Sequence, residues 1–260
     1  MAQPIVIAVA GKGGTGKTTI CGMIIEQLAR AGKKVLAVDA DPNSNLNEVL
    51  GVDVETTLGE IRETMAGREL SGEAMPAGMT KAEYAEFMMS DALSEGLSYD
   101  LLVMGRTQGA GCYCYVNGIL TTQIDKYFRS GAYDYLVVDN EAGLEHISRG
   151  VLPHMDVLLL VSDSSRRGIQ AVGRVKVMAE ELKLAPSVMK LIVNRAPNGV
   201  PDEGIMEEIK LQGLDLIGVL PQDETVYRYD CDGKPTSKVP DDNPVKVAVR
   251  EILEQLIIKK

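Results

Sequence analysis

The run Gly11-Lys12-Gly13-Gly14-Thr15-Gly16-Lys17-Thr18-Thr19 constrains the rest of the chain most strongly. The apolar run Ile5 to Ala10 precedes it and predicts a buried strand. Ile20, Ile24, Ile25, Leu28 and Ala31 follow at helical spacing. Strand, glycine loop and helix form the setting in which backbone N–H groups and a helix N-terminus bind phosphate. Gly11, Gly13 and Gly16 satisfy G-x-G-x-x-G, the dinucleotide pattern, and Asp39 stands where such a site needs an acid. The same residues satisfy G-x-x-x-x-G-K-[ST], with Lys17 for the β- and γ-phosphates and Thr18 for Mg²⁺. A dinucleotide turn has no use for a Lys-Thr pair, so a nucleoside triphosphate is the expected ligand.

Alternating strand and helix patterns then predict a doubly wound α/β fold with a mostly parallel sheet of about seven strands. The expected strands are Ile5–Ala10, Lys34–Asp39, Asp100–Met104, Tyr133–Asp139, Met155–Ser162, Ser187–Asn194 and Leu216–Leu220. With 260 residues and 45% hydrophobic content, one large core can form without disulfide staples. No low-complexity linker divides the chain, so a single domain over 1–260 is expected, with a helical excursion at about 51–98. Short helices are predicted there near Thr57–Met65 and Lys81–Leu93. The methionines Met65, Met75, Met79, Met88 and Met89 suit gap-filling in a core better than soft-metal binding.

A net charge of −10 opposes a broad nucleic-acid face. No apolar run approaches the roughly 18 residues of a membrane span, and the N-terminus leads directly into the first strand. A cytoplasmic protein is expected, with no nucleic-acid or membrane partner. There the cysteines, Cys21, Cys112, Cys114 and Cys231, suit thiols or metal ligands more than disulfides.

Asp39 and Asp41 end the second strand two residues apart, so both carboxylates can face one way. An ordinary strand exit would also favour aspartate. Cys112 and Cys114 lie one residue apart on a glycine-rich approach. They supply two thiolates to one ion, and a two-fold axis through the loop would complete a tetrahedral S₄ site. Buried structural cysteines and a redox pair are the other readings of that spacing. Asp139 ends a strand where a Mg²⁺-linked acid would stand. Asn194-Arg195-Ala196-Pro197 ends a later one, where an amide can pair with a purine. A guanine site would carry aspartate at position 197, so adenine is favoured. Cys231 falls in an expected polar loop and His154 reads as structural, while His146 reads as a satisfied helix-start histidine or a metal ligand.

Lys12, directly after the first glycine, resembles the deviant Walker A motif of the superfamily of MinD, ParA, ArsA and the nitrogenase iron protein. The segment from Met104-Gly105 through Cys112-Tyr113-Cys114 resembles CooC-type ATPases, the nickel-insertion accessory proteins of carbon monoxide dehydrogenase. So does Asp139-Asn140-Glu141-Ala142-Gly143-Leu144-Glu145-His146. Closely related members serve acetyl-CoA synthase. The resemblance implies a P-loop ATPase acting as a nucleotide-sandwich homodimer, with ATP, Mg²⁺ and Ni²⁺ (or Zn²⁺) as ligands and a nickel enzyme as client. It implies that Lys12 reaches the partner's phosphates, that Asp41 positions the attacking water, and that Asp39 and Asp139 support Mg²⁺. Gly143 would turn an N–H toward the γ-phosphate, and Pro221 to Asp223 would close over the base. Two other members of the superfamily offer different expectations, a MinD/ParA-type spatial switch and an iron–sulfur scaffold or reductase. The stretch Gly143 to Leu152 lacks the cysteine that iron–sulfur relatives carry there. The C-terminal segment Pro244 to Lys260 has too few cations for a surface anchor, and a packed helix is expected.

Overall fold

A computed structural model describes residues 3–96, 98–106, 113–141 and 154–257. Its centre is β1 (Ile5–Gly11), which pairs in parallel with β5 (Tyr135–Asp139) on one side and β6 (Val157–Asp163) on the other. Beyond β5 come β2 (Val35–Asp39), β4 (Tyr99–Val103) and β3 (Leu93–Glu95); beyond β6 come β7 (Val188–Ala196) and β8 (Leu216–Pro221). The order is β3-β4-β2-β5-β1-β6-β7-β8, with β3 alone antiparallel to its neighbour. The expected mostly parallel sheet is present, with eight strands instead of about seven. The extra strand lies inside the segment expected to be helical. Three residues are too few for a two-residue period to be recognisable in sequence.

Every residue of β2 and β5 is buried, as parallel strands covered on both faces require. Val6, Ala8 and Ala10 of β1 face one core cluster, with Leu58, Ile61, Ile169 and Val172. Ile7 and Val9 face the other, with Ile20, Met23, Ile24, Val249 and Leu253. Helix α1 (Lys17–Arg30) thus covers one face, together with α2 (Leu46–Leu50) and the C-terminal helix, whose Val245, Val249, Ile252 and Leu253 are buried as expected. Helices α3 (Leu58–Ser71), α4 (Lys81–Asp91), α5 (Tyr113–Ser130) and α6 (Arg166–Glu181) belong to the opposite layer. They are followed by α7 (Glu203–Leu211), α8 (Glu224–Cys231) and the C-terminal α9 (Pro244–Ile257).

Helices α3 and α4 each start at a capping box, Thr57 with Glu60 and Thr80 with Glu83. Helix α3 runs past the expected Met65 to Ser71 and stops at Gly72, in the left-handed conformation. Met65 and Met89 are core residues. Cys231, expected in a loop, closes α8 instead; Asp223 caps that helix by accepting from the Val226 N–H at 2.9 Å.

Candidate nucleotide site

The carboxyl end of β1 lies where the chain order reverses, the place at which open parallel sheets bind ligands. Gly11 is opposite Val161 of β6, and a Cβ at Gly11 would lie 2.1 Å from the Val161 carbonyl oxygen. Gly16 has φ +88°, and a Cβ there would meet the Asn194 amide nitrogen at 2.4 Å. Glycine is needed at both for the loop to leave one strand and pass another this closely.

Asn194 Nδ2 donates to the Thr15 carbonyl at 2.8 Å, and its Oδ1 accepts from the Arg195 N–H at 2.9 Å. The Arg195 guanidinium donates to the Gly14 carbonyl at 3.2 Å. The end of β7 therefore holds the glycine loop by its backbone. Asn194 thus spends one amide hydrogen on the loop and also lines the pocket beside it. Arg195, Pro221, Asp223 and Thr19 do line a pocket of about 850 Å³ beside the loop. Gln222, Tyr227 and Asp230 line it too; Tyr227 and Asp230 went unrecognised because α8 was expected to be loop.

Helix α1 begins with no capping side chain and no acid in its first turn. Its first N–H groups are thus left for an anion, unlike those of α3 and α4. Lys17 is buried, and its ammonium donates to the Lys12 carbonyl at 3.3 Å; the Thr15 hydroxyl donates to the same oxygen at 2.8 Å. Lys12, Gly13 and Gly14 are exposed at the loop's apex.

Three acids stand at the neighbouring strand ends. Asp39 is fully buried; its Oδ1 accepts from the Asp41 N–H and its Oδ2 from the Leu46 N–H, each at 3.0 Å. It closes the loop into α2. Burial pushes its carboxyl up to about 6. Asp139 is raised further, to about 7, by burial and then by the Asp39 charge, against the Thr18 hydroxyl and Lys17. Its Oδ1 is buried with no hydrogen-bond partner among the described residues. An orphaned carboxylate oxygen beside a hydroxyl fits the oxygen donor set of a hard divalent cation, so Thr18 and Asp139 suit Mg²⁺. Asp41 is partly exposed, its Oδ1 accepting from the Asn43 backbone N–H at 2.8 Å and from Asn43 Nδ2 at 3.0 Å.

Gly143, His146 and Cys112 lie outside the described residues. Cys114 falls in the first turn of α5, its side chain likewise outside the description. Among the described residues no three of His, Cys, Asp and Glu are grouped to hold a metal. Cys21 is buried in α1 and Cys231 is exposed, both free. His154 packs near Phe128 and Asp156.

A switch-point glycine loop with a buried lysine, an uncapped helix start and an orphaned acid defines an ATPase of the P-loop class. Residues 6–236 match the CobQ/CobB/MinD/ParA nucleotide-binding domain, and the chain belongs to that family. It is 41% identical over 256 residues to an uncharacterized ATP-binding protein of Methanocaldococcus jannaschii, covering 98% of this chain and 100% of that protein. It is 30% identical over 240 residues to the carbon monoxide dehydrogenase accessory protein CooC of Rhodospirillum rubrum, covering 87% of each. The fold is similar to that of the cell division ATPase MinD of Pyrococcus furiosus (TM-score 0.72, 23% identity, 98% of this chain and 99% of that one). It is also similar to MinD of Pyrococcus horikoshii complexed with Mg-ADP (TM-score 0.71, 23% identity, 97% and 96%).

Proposed function

We propose that the chain is a single-domain, homodimeric cytoplasmic ATPase that binds nickel through Cys112 and Cys114 and delivers it to carbon monoxide dehydrogenase or acetyl-CoA synthase. The observation that carries this reading is the similarity to CooC over 87% of both chains, joined to the C-x-C pair, of which Cys112 precedes α5 in sequence and Cys114 belongs to its first turn. The chain leaves β4 beside β2, at the end that carries Asp39.

ATP would lie with its phosphates against the N–H groups of Gly13 to Thr19 and its base in the pocket of Arg195, Pro221 and Asp223. Lys17 would turn from the Lys12 carbonyl to the phosphates. Asp41 would orient a water in line with the γ-phosphorus, which breaks the bond to the β–γ bridging oxygen and leaves ADP and phosphate. Mg²⁺, held by Thr18 and Asp139 with Asp39 behind them, would supply charge neutralisation. Lys12, exposed at the apex, would act on the partner's nucleotide, and the Gly143 N–H would face the γ-phosphate. Dimer rearrangement on hydrolysis would change how the shared cysteine site holds its cargo. A spatial-switch reading has less support. The face by which a C-terminal helix could meet lipid is packed through Val245, Val249, Ile252 and Leu253. Among the described residues no helix is long and apolar enough to cross a membrane.

The test is equilibrium binding of Ni²⁺ and Zn²⁺ with and without ATP. One ion per dimer is expected, weakening as the thiols are protonated. Cys112→Ala and Cys114→Ala should each abolish tight binding, whereas Cys21→Ala and Cys231→Ala should not. A double variant at 112 and 114 that binds one ion per dimer with parental affinity refutes the nickel role. Thiolate-to-iron absorption in the purified protein would favour an iron–sulfur scaffold.

A further inference from the structure

The loop from Asp41 to Asn45 joins β2 to α2 and is clasped from the side by residues no nucleotide motif includes. Asn43 gives both its N–H and its side-chain amide to Asp41 Oδ1, at 2.8 and 3.0 Å. The Arg106 guanidinium donates in turn to Asn43 Oδ1. One residue on, the Ser44 hydroxyl donates to the Asp41 carbonyl at 3.1 Å and accepts from the Gly105 N–H at 3.2 Å. Ser44 does this at φ +44°, a left-handed conformation that a non-glycine residue keeps only where its surroundings hold it.

The clasp has a firm base. Gly59 N–H donates to the Met104 carbonyl at 2.8 Å, and a Cβ on Gly59 would lie 2.4 Å from the Arg106 carbonyl oxygen. The first turn of α3, fixed by its Thr57–Glu60 capping box, is thus pressed onto residues 104–106. Arg106 and Asn43 are themselves exposed. An exposed charged hydrogen bond contributes little to global stability, so this pair is placed to set a geometry that can open and close.

We infer that Arg106 is a positioning residue for ATP hydrolysis: acting through Asn43, it holds the Asp41 carboxylate in the orientation that aligns the attacking water. The inference rests on the proposed role of Asp41. It adds a residue from the β4 exit, outside the glycine loop and outside the strand-end acids. A carboxylate released from Asn43 would sample other rotamers, and small misplacement of a water-orienting group is costly in turnover but not in nucleotide affinity.

The test is steady-state ATPase kinetics on Arg106→Ala, Asn43→Ala, the double variant, Arg106→Lys and Asp41→Asn, with thermal melts to verify folding. Each alanine variant should lose about tenfold in kcat, with KM for ATP within about twofold. The double variant should lose no more than either single one, because both cut the same relay. Arg106→Lys, which keeps a donor, should recover part of the rate. Parental kcat in Arg106→Ala, a loss expressed mainly in KM, or multiplying losses in the double variant each overturn the inference. Asp41→Asn separates the two levels. If it is slow while Arg106→Ala is parental, the relay alone fails. If it turns over at the parental rate, the role of Asp41 fails and the relay falls with it.

Discussion

Asp39 of β2 and Asp139 of β5 stand opposite each other in parallel register, both sealed from solvent, at the strand ends that face the glycine loop. Two carboxylates this close cannot both ionise without cost in an apolar sheet. The backbone N–H groups of Asp41 and Leu46 offset the charge on Asp39. Among the described residues, Asp139 has the Thr18 hydroxyl and the nearby Lys17 to offset its charge. The unliganded site thus holds an unfavourable charge that a cation would relieve, an arrangement in which function is kept at the expense of stability.

Removing that charge should therefore stabilise the free protein. Asp139→Asn is expected to raise the melting temperature without nucleotide, while Mg²⁺ no longer strengthens ATP binding. Differential scanning calorimetry and titration with ATP, with and without Mg²⁺, measure the two effects. A lower melting temperature for the variant would show that the Asp139 charge is satisfied within the fold.

The same groups set a pH profile. Asp39 and Asp139 have folded values near 6 and 7 against 3.8 unfolded, so the nucleotide-free fold gains stability as pH falls through 7 and 6. Glu26 behaves oppositely. Burial would raise its carboxyl, but hydrogen bonds from Lys238 and Arg30 outweigh burial and hold it below 4.5. Its stabilisation is present above that value and is lost as acid protonates it. The Asp39 and Asp139 gain runs on toward their unfolded value of 3.8 while the Glu26 loss sets in only below 4.5, so melting temperature without nucleotide should peak at about pH 4 to 4.5. Asp139→Asn should flatten the alkaline limb and Glu26→Gln the acid limb. A profile that rises steadily to pH 8 in the parent would contradict the raised values of Asp39 and Asp139.

Much of this was legible in the chain itself. The strand ends at Gly11, Asp39 and Asp139 could be placed because short continuous apolar runs stop there at glycine or aspartate. The glycine loop could be placed because a lysine-threonine pair follows it. The role of Asn194 could not, since a side chain that pairs with a loop 179 residues away leaves no local pattern. Nor could the clasp at Arg106, where an exposed arginine after a strand is indistinguishable from a solvated one until Asn43 is beside it. Helices α5, α7 and α8 were not anticipated, and β3 was too short to show a period. The apolar positions of α5, by contrast, are interleaved with Thr121, Thr122 and Gln123, which blurs its helical stripe.

The Asn194 contact makes its own prediction. Asn194→Ala leaves the Thr15 carbonyl without its donor and unties the loop from β7, a loss of about 1–3 kcal/mol for a buried polar group. ADP binding should weaken about tenfold, and preference for ATP over GTP should be unchanged. Isothermal titration with both nucleotide series is the measurement. Loss of base preference with phosphate affinity intact would assign the Asn194 amide to the purine instead.

Lys12 and Lys17 share one carbonyl but not one environment. Lys17 is buried and its ammonium lies against the Lys12 carbonyl oxygen, whereas Lys12 is exposed at the loop's tip. Lys17→Ala should abolish most ATP binding and all measurable hydrolysis, because the phosphates lose their only buried cation among the described loop residues. Lys12→Ala should leave binding by the isolated protomer nearly intact and lower turnover by about 10²–10³, the usual loss when one charge-stabilising group is removed. A lysine that works across a dimer interface also has a mixing signature. Lys12→Ala protomers retain a sound Lys17, and Lys17→Ala protomers retain a sound Lys12. A mixture should therefore recover activity at the Lys12→Ala protomer's site, which receives lysine from its partner. Each homodimer alone should stay at its own low rate. Recovery should scale with the fraction of mixed dimers, followed by mass and ATPase rate on the same samples. Normal turnover by Lys12→Ala alone, or no recovery in verified mixed dimers, would remove the shared-lysine dimer and leave a nucleotide site complete within one chain.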